Sequence, residues 1–422
     1  MFRSTATGRF ALAALLAPVL SLGLQPFARA EEPALTLRDA LSRTLQSNPD
    51  LAAYQYVLKA NDGRVTQAGF KPNPVFNSTL ENVLGTGDTK GLKGAELTLG
   101  LSQLIELGGL REKRVAVAQI EREGLEAEGH IQRLDVIAET ARRFVSLVRQ
   151  QEEHQLTHLA VELAEKTATA VERRVAAAKS PLAERDRAAV SLERAKSADA
   201  HAEHELLAAR YDLAASWGAA QPDFGRADAA LYTLPAVADY ATLLAALEKT
   251  PDLNRYLSES RLRDSEISLA LASRRPGVEV GAGLRRLQAT QDTALVFSFG
   301  MPLPLYNKNQ GVIAEAEARK QGSAAERAAA LVKARTQLFR YHRELLDRAR
   351  EVTALRERAL PRMEAALDNT EYAYERGRYS YLELVDAQRE LLTVKREVIE
   401  AAAQYHLTLI EIERLTGTGQ SR

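Results

Sequence analysis

The stretch LRDALSRTLQSNPDLAAYQYVLKANDGRVTQAGFKPNP at 37–74 is written a second time, altered but recognisable, as YATLLAALEKTPDLNRYLSESRLRDSEISLALASRRP at 240–276. Asn48-Pro49-Asp50-Leu51 stands against Thr250-Pro251-Asp252-Leu253, and Pro74 falls opposite Pro276. The correspondence continues with SQLIELGGLREKRVAVAQ at 102–119 against MPLPLYNKNQGVIAEAEA at 301–318, and AAKSPLAERD at 177–186 against GRYSYLELVD at 377–386. A spacing of about two hundred residues is too long for the unit of a solenoid. The chain therefore holds two copies of one programme: short helix, helix, two strands, a very long helix, a turn and a returning helix.

The long helices set the scale. From about 110 to 177 the chain is rich in Ala, Glu, Arg and Leu and contains no proline. At 1.5 Å per residue, such a helix extends on the order of 100 Å. That length and composition suggest a coiled coil or a related helical assembly. The second copy, 309–376, contains Pro361, which is expected to kink the helix or mark a local irregularity. The returning helices, 182–216 and 382–416, are half as long, so the helices at 49–71 and 251–275 are expected to stack end to end with them as second columns.

Both reversals carry helix-start signals. Ser380 and Glu383 form the capping-box pattern. Ser180 is the expected cap of the first returning helix, with Pro181 at its first helical position, where a missing N–H does no harm.

The strand text lies at 75–84, 95–104, 278–287 and 294–303, and all of it alternates with period two. Phe76, Leu80 and Leu84 define one face; Leu97, Leu99 and Leu101, then Val278, Val280 and Leu284, and finally Leu295, Phe297, Phe299 and Met301 define the others. Each segment is about ten residues, the length of a tilted transmembrane strand. A half-buried sheet on a soluble core would show the same alternation. In lipid, however, four strands cannot close, and an open edge is forbidden, so other subunits must complete the sheet. Three copies would supply twelve strands. The loop GTGDTKG at 85–91 lacks the Gly-Lys-Ser/Thr ending of a phosphate loop and is expected to be a hairpin loop.

Arg3 and Arg9, the apolar stretch at 11–24 and Ala28-Arg29-Ala30 predict a secretory signal peptide over 1–30. No later segment approaches twenty apolar residues, the length a membrane helix needs. There is no cysteine, hence no disulfide, thiolate metal site or lipid-bearing Cys. The 56 basic and 56 acidic residues are interspersed, unlike the one-sided surface of a nucleic-acid binder, so no nucleic acid is expected as a partner.

Taken in order and duplicated, NPDLAA (48–53), QAGFKPNP (67–74), SQLIELGGLREKR (102–114), PLPLYNKNQG (302–311), GRYSYLELVDAQ (377–388) and ERLTG (413–417) give the chain its family resemblance. It resembles the TolC-type outer-membrane efflux channels, within them the branch serving cobalt/zinc/cadmium pumps, over essentially the whole mature chain. The resemblance implies a mainly α protein with a small membrane β portion: a homotrimer with a twelve-stranded barrel in outer-membrane lipid and an α-helical barrel reaching into the periplasm. It implies docking onto a periplasmic adaptor and an inner-membrane RND pump, with no catalysis and no cofactor. The divisions implied are 31–74, helices of the first repeat; 75–104, hairpin in the membrane; 105–216, helix hairpin with its tip at 177–182; 217–276, equatorial segment and helices of the second repeat; 277–304, second membrane hairpin; 305–417, second helix hairpin with its tip at 377–382; and 418–422, a tail. Tip residues matching the adaptor-docking positions are Lys179, Ser180, Pro181 and Leu182, and Gly377, Arg378, Ser380, Tyr381 and Leu382. The acidic periplasmic aperture falls on Glu383 and Asp386, with Asp186 as the first-copy equivalent. Position 183 is Ala where the second copy has Glu, so one acidic ring is missing. From spacing, Arg378 is expected to pair with these carboxylates and latch the closed state.

His154 and His158 at i, i+4, and His201 and His204 at i, i+3, have spacings zinc can use. Without a nearby Cys or a completed metalloprotease motif, they are expected to be solvated surface residues. Two functional readings stay open on the residues alone: an outer-membrane exit duct, and a soluble periplasmic coiled-coil scaffold or adaptor.

Overall fold

The structure, a computed structural model, describes residues 34–418, so the signal peptide expected at 1–30 and all but the first residue of the 418–422 tail lie outside the described residues. The first repeat comprises α1 (Leu37–Ser47), α2 (Pro49–Ala68), β1 (Val75–Glu81), β2 (Glu96–Ile105), α3 (Leu110–Ala176) and α4 (Leu182–Ala215). The second comprises α5 (Tyr240–Leu247), α6 (Pro251–Ala272), β3 (Val278–Leu287), β4 (Asp292–Gly300), α7 (Gln310–Ala354), a π-turn at Leu355–Ala359, α8 (Leu360–Glu375) and α9 (Tyr381–Thr416).

Helix α3 is unbroken over 67 residues, so it is roughly 100 Å long. In the second copy, Pro361 falls in the first turn of α8, directly after the π-turn. The wider turn absorbs the missing N–H locally, which makes Pro361 a local irregularity within one long rod. The short columns do stack. Asn48 starts α2 by accepting from Leu51 N at 2.9 Å, and its Nδ2 donates at 2.8 Å to the carbonyl of Ser216, at the end of α4. At the matching place in the second repeat, Arg414 near the end of α9 grips Asp252 in the first turn of α6 with two bonds, 2.8 and 3.1 Å, and reaches Asp135 of α3 at 2.5 Å.

Among the described residues the strands form one antiparallel sheet in the order β1-β2-β3-β4. The two repeats join at β2 and β3, where Glu96 faces Leu287 and Ile105 faces Val278. The pairing puts Phe76, Leu80, Leu97, Leu99, Leu101, Val280, Leu284, Leu295, Phe297 and Phe299 on one face. That face is bare: Phe76, Phe297 and Phe299 are 65%, 77% and 72% exposed. The other face is polar or small. On it Asn77 donates to the Ser102 hydroxyl at 3.0 Å, Arg285 donates to Thr98 at 3.0 Å and pairs with Glu96 at 3.1 Å, and Gly100 faces Gly283.

Two strand expectations are corrected. β1 ends at Glu81, because Asn82 and Leu84 take left-handed φ values of 57° and 58° and turn the chain out of the ladder, so Leu84 belongs to the loop. β4 runs from Asp292 to Gly300 rather than 294–303, because its partner β3 begins at Val278 and leaves Pro302 and Leu303 with nothing to pair with in the chain.

Among the described residues the core has three parts. Leu35, Phe144, Leu147, Leu213, Trp217 and Phe224 gather midway along α3, where Leu35 pairs in parallel with Ala227. Leu338, Leu345, Leu247 and Ile412 join α5, α7 and α9. Leu163, Val171, Leu367, Tyr374, Tyr381 and Leu384 fill the space between the two helix hairpins near their reversals.

Candidate functional site

The reversals lie at the far end of α3 from the sheet, and both close in the same way. At the first, Lys179 N donates to Arg174 O at 2.8 Å and Ala178 N to Val175 O at 2.9 Å. At the second, Arg378 N donates to Ala373 O and Gly377 N to Tyr374 O, both at 2.9 Å. Each is a Schellman closure. Its left-handed residue is Ala178 (φ 54°) in one and Gly377 (φ 71°) in the other.

The helix starts then differ. At Ser380 the capping box forms: Glu383 N donates to the Ser380 hydroxyl at 3.4 Å, and Ser380 N donates back to Glu383 Oε2 at 2.7 Å. The Ser380 backbone N–H, and after it the hydroxyl, hold the Glu383 carboxyl below the usual carboxylate range. At the first tip Pro181 itself is the cap residue and α4 begins at Leu182. Ser180 does not cap; its hydroxyl accepts from Arg174 Nε at 3.1 Å. Counted from the caps, the residue three places in is Glu184 at the first tip and Glu383 at the second. The two are not equivalent in placement: Glu184 is half-buried near Tyr374 and Tyr381, whereas Glu383 is exposed. Packing keeps the two-hundred spacing, with Ala188 and Gln388 both buried, so the offset is confined to the turn.

Arg174, which the sequence reading passed over, joins the tips. Its NH1 donates to the Tyr374 carbonyl at 2.6 Å, and its guanidinium lies 4.7 Å from the centre of the Tyr374 ring. Beneath them Gln388 Nε2 donates to the Thr167 hydroxyl at 2.9 Å in a buried bond between hairpins. Burial pushes the Tyr374 and Tyr381 phenols up, and the neighbouring Glu184 carboxylate adds to this in both.

Of the expected docking residues, Lys179, Pro181, Gly377, Arg378 and Ser380 are exposed, and Leu182 and Leu382 stand out at 60% and 62%. Tyr381 is corrected: at 4% exposed it belongs to the tip core, because the first turn of α9 aims it at α3 and α8. Asp386 is exposed, and Asp186 is exposed beside Arg185 at 3.3 Å. Within the protomer Arg378 forms no ion pair with Glu383 or Asp386 among the described residues, since Glu383 is turned back to its own cap. His154 and His158 both approach the Asp199 carboxylate at 3.8 Å, and His201 approaches Glu205 at 4.0 Å. Among the described residues no group of three or more His, Cys, Asp or Glu is placed to hold a metal ion.

A bare apolar sheet face, 100 Å rods and paired tips define the architecture, and its sequence matches the outer membrane efflux protein family over residues 40–219 and 243–418, once per repeat. The chain belongs to that family. Among its relatives, the cobalt-zinc-cadmium resistance protein CzcC of Cupriavidus metallidurans is 30% identical over 285 residues, 68% of this chain and 66% of that protein. The nickel-cobalt-cadmium resistance protein NccC of Alcaligenes xylosoxydans xylosoxydans is 23% identical over 273 residues, 65% of this chain and 62% of that protein. The chain thus spans slightly under two thirds of either relative. In fold it is similar to a membrane protein from Pseudomonas aeruginosa, with a TM-score of 0.77 at 18% identity, covering 90% of this chain and 92% of that one.

Proposed function

We propose that three copies of this chain form an exit duct through the outer membrane, through which heavy-metal cations leave the cell. The observation that carries this reading is the sheet. Its apolar side chains face outward with nothing over them, its polar side holds Arg285, Glu96, Thr98 and Asn77, and both edges are open. In lipid such a sheet is tolerated only when closed on itself. A soluble scaffold or adaptor has no use for it.

Inside the chain, α3 of one repeat packs on α9 of the other, with Arg142 on Glu411 at 2.7 Å and Arg396 on Glu153 at 2.8 Å. The duplication leaves α4 and α7 as the faces that repeat this contact between copies. Leu207 on α4, 48% exposed, is the counterpart of Leu407, which packs against the central core. The tips, with Leu182 and Leu382 outermost, are the docking ends for a periplasmic adaptor and, through it, an inner-membrane RND pump. Glu383 and Asp386, joined by Asp186 and Glu184, give the periplasmic aperture its negative potential, which favours cations. Metal cargo is supported by the cobalt, zinc, cadmium and nickel in the names of the two resistance proteins it resembles.

The test is planar-bilayer conductance of the detergent-purified protein against its Glu383→Ala/Asp386→Ala variant. A small cation-preferring conductance in the wild type, larger and less selective in the variant, supports the duct. No conductance from either, with the protein washed from membranes by carbonate, would sink it.

A further inference from the structure

The two ends of the sheet differ in charge. At the end away from the helices, residues 81–96 and 285–292 hold four basic and four acidic side chains. At the end joined to the helices, the flanking segments 69–75, 105–114, 273–279 and 300–309 hold seven basic and three acidic ones. Those three carboxylates are placed elsewhere: Glu106 accepts from Arg114 at 2.9 Å, Glu112 pairs with Arg111 at 2.9 Å, and Glu279 stands on the polar face of β3. Lys71, Lys113, Arg274, Arg275 and Lys308 are exposed, and among the described residues none of the five is paired with a carboxylate.

Local contacts gather these segments into one collar. Arg114 donates to the Phe70 carbonyl at 3.4 Å, Gln103 Nε2 to the Pro72 carbonyl at 2.7 Å, and Asn309 Nδ2 to the Ala270 carbonyl at 2.8 Å. The stem of Arg275 packs over Gly108, where a Cβ would lie 2.9 Å from its Cδ. Gln103 continues the alternation of Leu97, Leu99 and Leu101 on the apolar face, so the segment it holds, with Phe70 and Lys71, runs beside the outer face of the sheet. Phe70 and Tyr306 are 58% and 92% exposed at this level. Aromatic rings of this kind flank the apolar band of a membrane sheet at the interface. Lys71 and Arg275 stand four and three residues ahead of β1 and β3. At most about 14 Å of chain separates them from the strands, and their own long side chains can span part of it.

We infer that this collar binds anionic phospholipids of the periplasmic leaflet, a reading that rests on the sheet spanning the outer membrane as proposed above. A phospholipid offers phosphate oxygens at the depth of the five charges and acyl chains at the depth of Phe70 and Tyr306. Ammonium and guanidinium groups give phosphate oxygens charge-assisted hydrogen bonds, and each Lys or Arg close to an anionic leaflet contributes on the order of fivefold in affinity. Turned into the lumen, the same five charges would oppose the cations the duct passes. The far end of the sheet, with its charges balanced, carries no matching preference, so the collar holds the sheet at one rim and sets its depth.

Native mass spectrometry of the detergent-purified protein, titrated with phosphatidylglycerol or with phosphatidylcholine, tests this. The wild type should retain phosphatidylglycerol in clear preference, and Lys71→Gln/Arg274→Gln/Lys308→Gln should lose it by on the order of fivefold per charge removed, with helix content unchanged. Lys308→Gln alone should show its own share, which keeps the test open should the triple variant fold poorly. Equal retention of the two lipids by the wild type, or a preference that every variant keeps, would overturn the collar. Cosedimentation with purified peptidoglycan that the triple variant abolishes, without any lipid preference, would give the surface to the anionic cell wall and overturn it as well. So would an unchanged lipid preference together with a raised cation selectivity of the triple variant in planar bilayers, since the charges would then line the lumen. The duct itself fails on a separate result, a wild type that carbonate washes from membranes.

Discussion

Arg174 donates to the backbone carbonyl of Tyr374 at 2.6 Å while stacking over the same residue's ring, 4.7 Å from its centre. One side chain thereby ties the end of the first repeat's long helix to the end of the second's, and nearly two hundred residues of sequence separate the partners.

Arg174→Ala removes a charged bond to a carbonyl and a cation–π contact, together worth about 2 kcal/mol at a half-buried site. The tips should part more readily. In single-channel recordings the variant should open several-fold more often than wild type, with Arg174→Lys in between because a point charge replaces the flat guanidinium.

Glu383 supplies the pH dependence. Its carboxyl is held below the ordinary value of about 4.3 by Ser380, so the folded state favours the ionised form. The cap's contribution is fully present above that ordinary value and is lost as pH falls through the lowered one. Hydrogen exchange at the Glu383 amide, corrected for intrinsic rate, should be flat from neutral pH to about 5 and lose protection below about 4. Glu383→Gln should lack this transition.

Arg414→Leu breaks the end-to-end join of α9 and α6. The guanidinium side chain is 14% exposed and bonded to both Asp252 and Asp135, which are 39% and 57% exposed, so its loss leaves two solvated carboxylates and costs about 1 kcal/mol. The denaturant midpoint followed by circular dichroism should fall accordingly. A double-mutant cycle with Asp252→Asn should show that most of the cost belongs to that pair.

Gly283→Val should spare the helices and damage the sheet. A Cβ there would come within 2.6 Å of the Leu99 carbonyl oxygen across the strand pair that joins the repeats. Outer-membrane fractions should contain several-fold less protein, with helix content of the detergent-solubilised remainder unchanged.

Ala178→Gly relieves a left-handed Ala. That conformation costs an L-residue about 1–2 kcal/mol, part of which the greater freedom of Gly in the unfolded chain offsets. The variant should be stabilised by roughly 0.5–1 kcal/mol, and Gly377→Ala should be destabilised by a similar amount.

What was legible in the sequence was local or repeated. The capping box at Ser380 spans three residues, so both halves lie in view at once. The alternation of Leu97, Leu99 and Leu101 fixes one face whatever the neighbour is. The turn at Ser180 was misplaced by one residue because a Schellman closure can fall on Ala178 or one residue earlier, and the closing carbonyls of Arg174 and Val175 decide it. Tyr381 reads as an exposed tip residue until the phase of α9 against α8 is known, and Arg174 looks like one arginine among many until Tyr374 arrives beside it. The end of β1 was missed because Asn82 fits a strand alternation as well as a left-handed turn.

The helices and the sheet also differ in when they can exist. The rods bury apolar seams within a single chain, so they have a core of their own in water. The sheet has none: with raw edges on both sides and Phe297 and Phe299 bare, a lone copy is a ready nucleus for wrong pairing. In the proposed trimer, assembly would run from the tube toward the membrane, with helical association bringing the hairpins to high local concentration before the strands close.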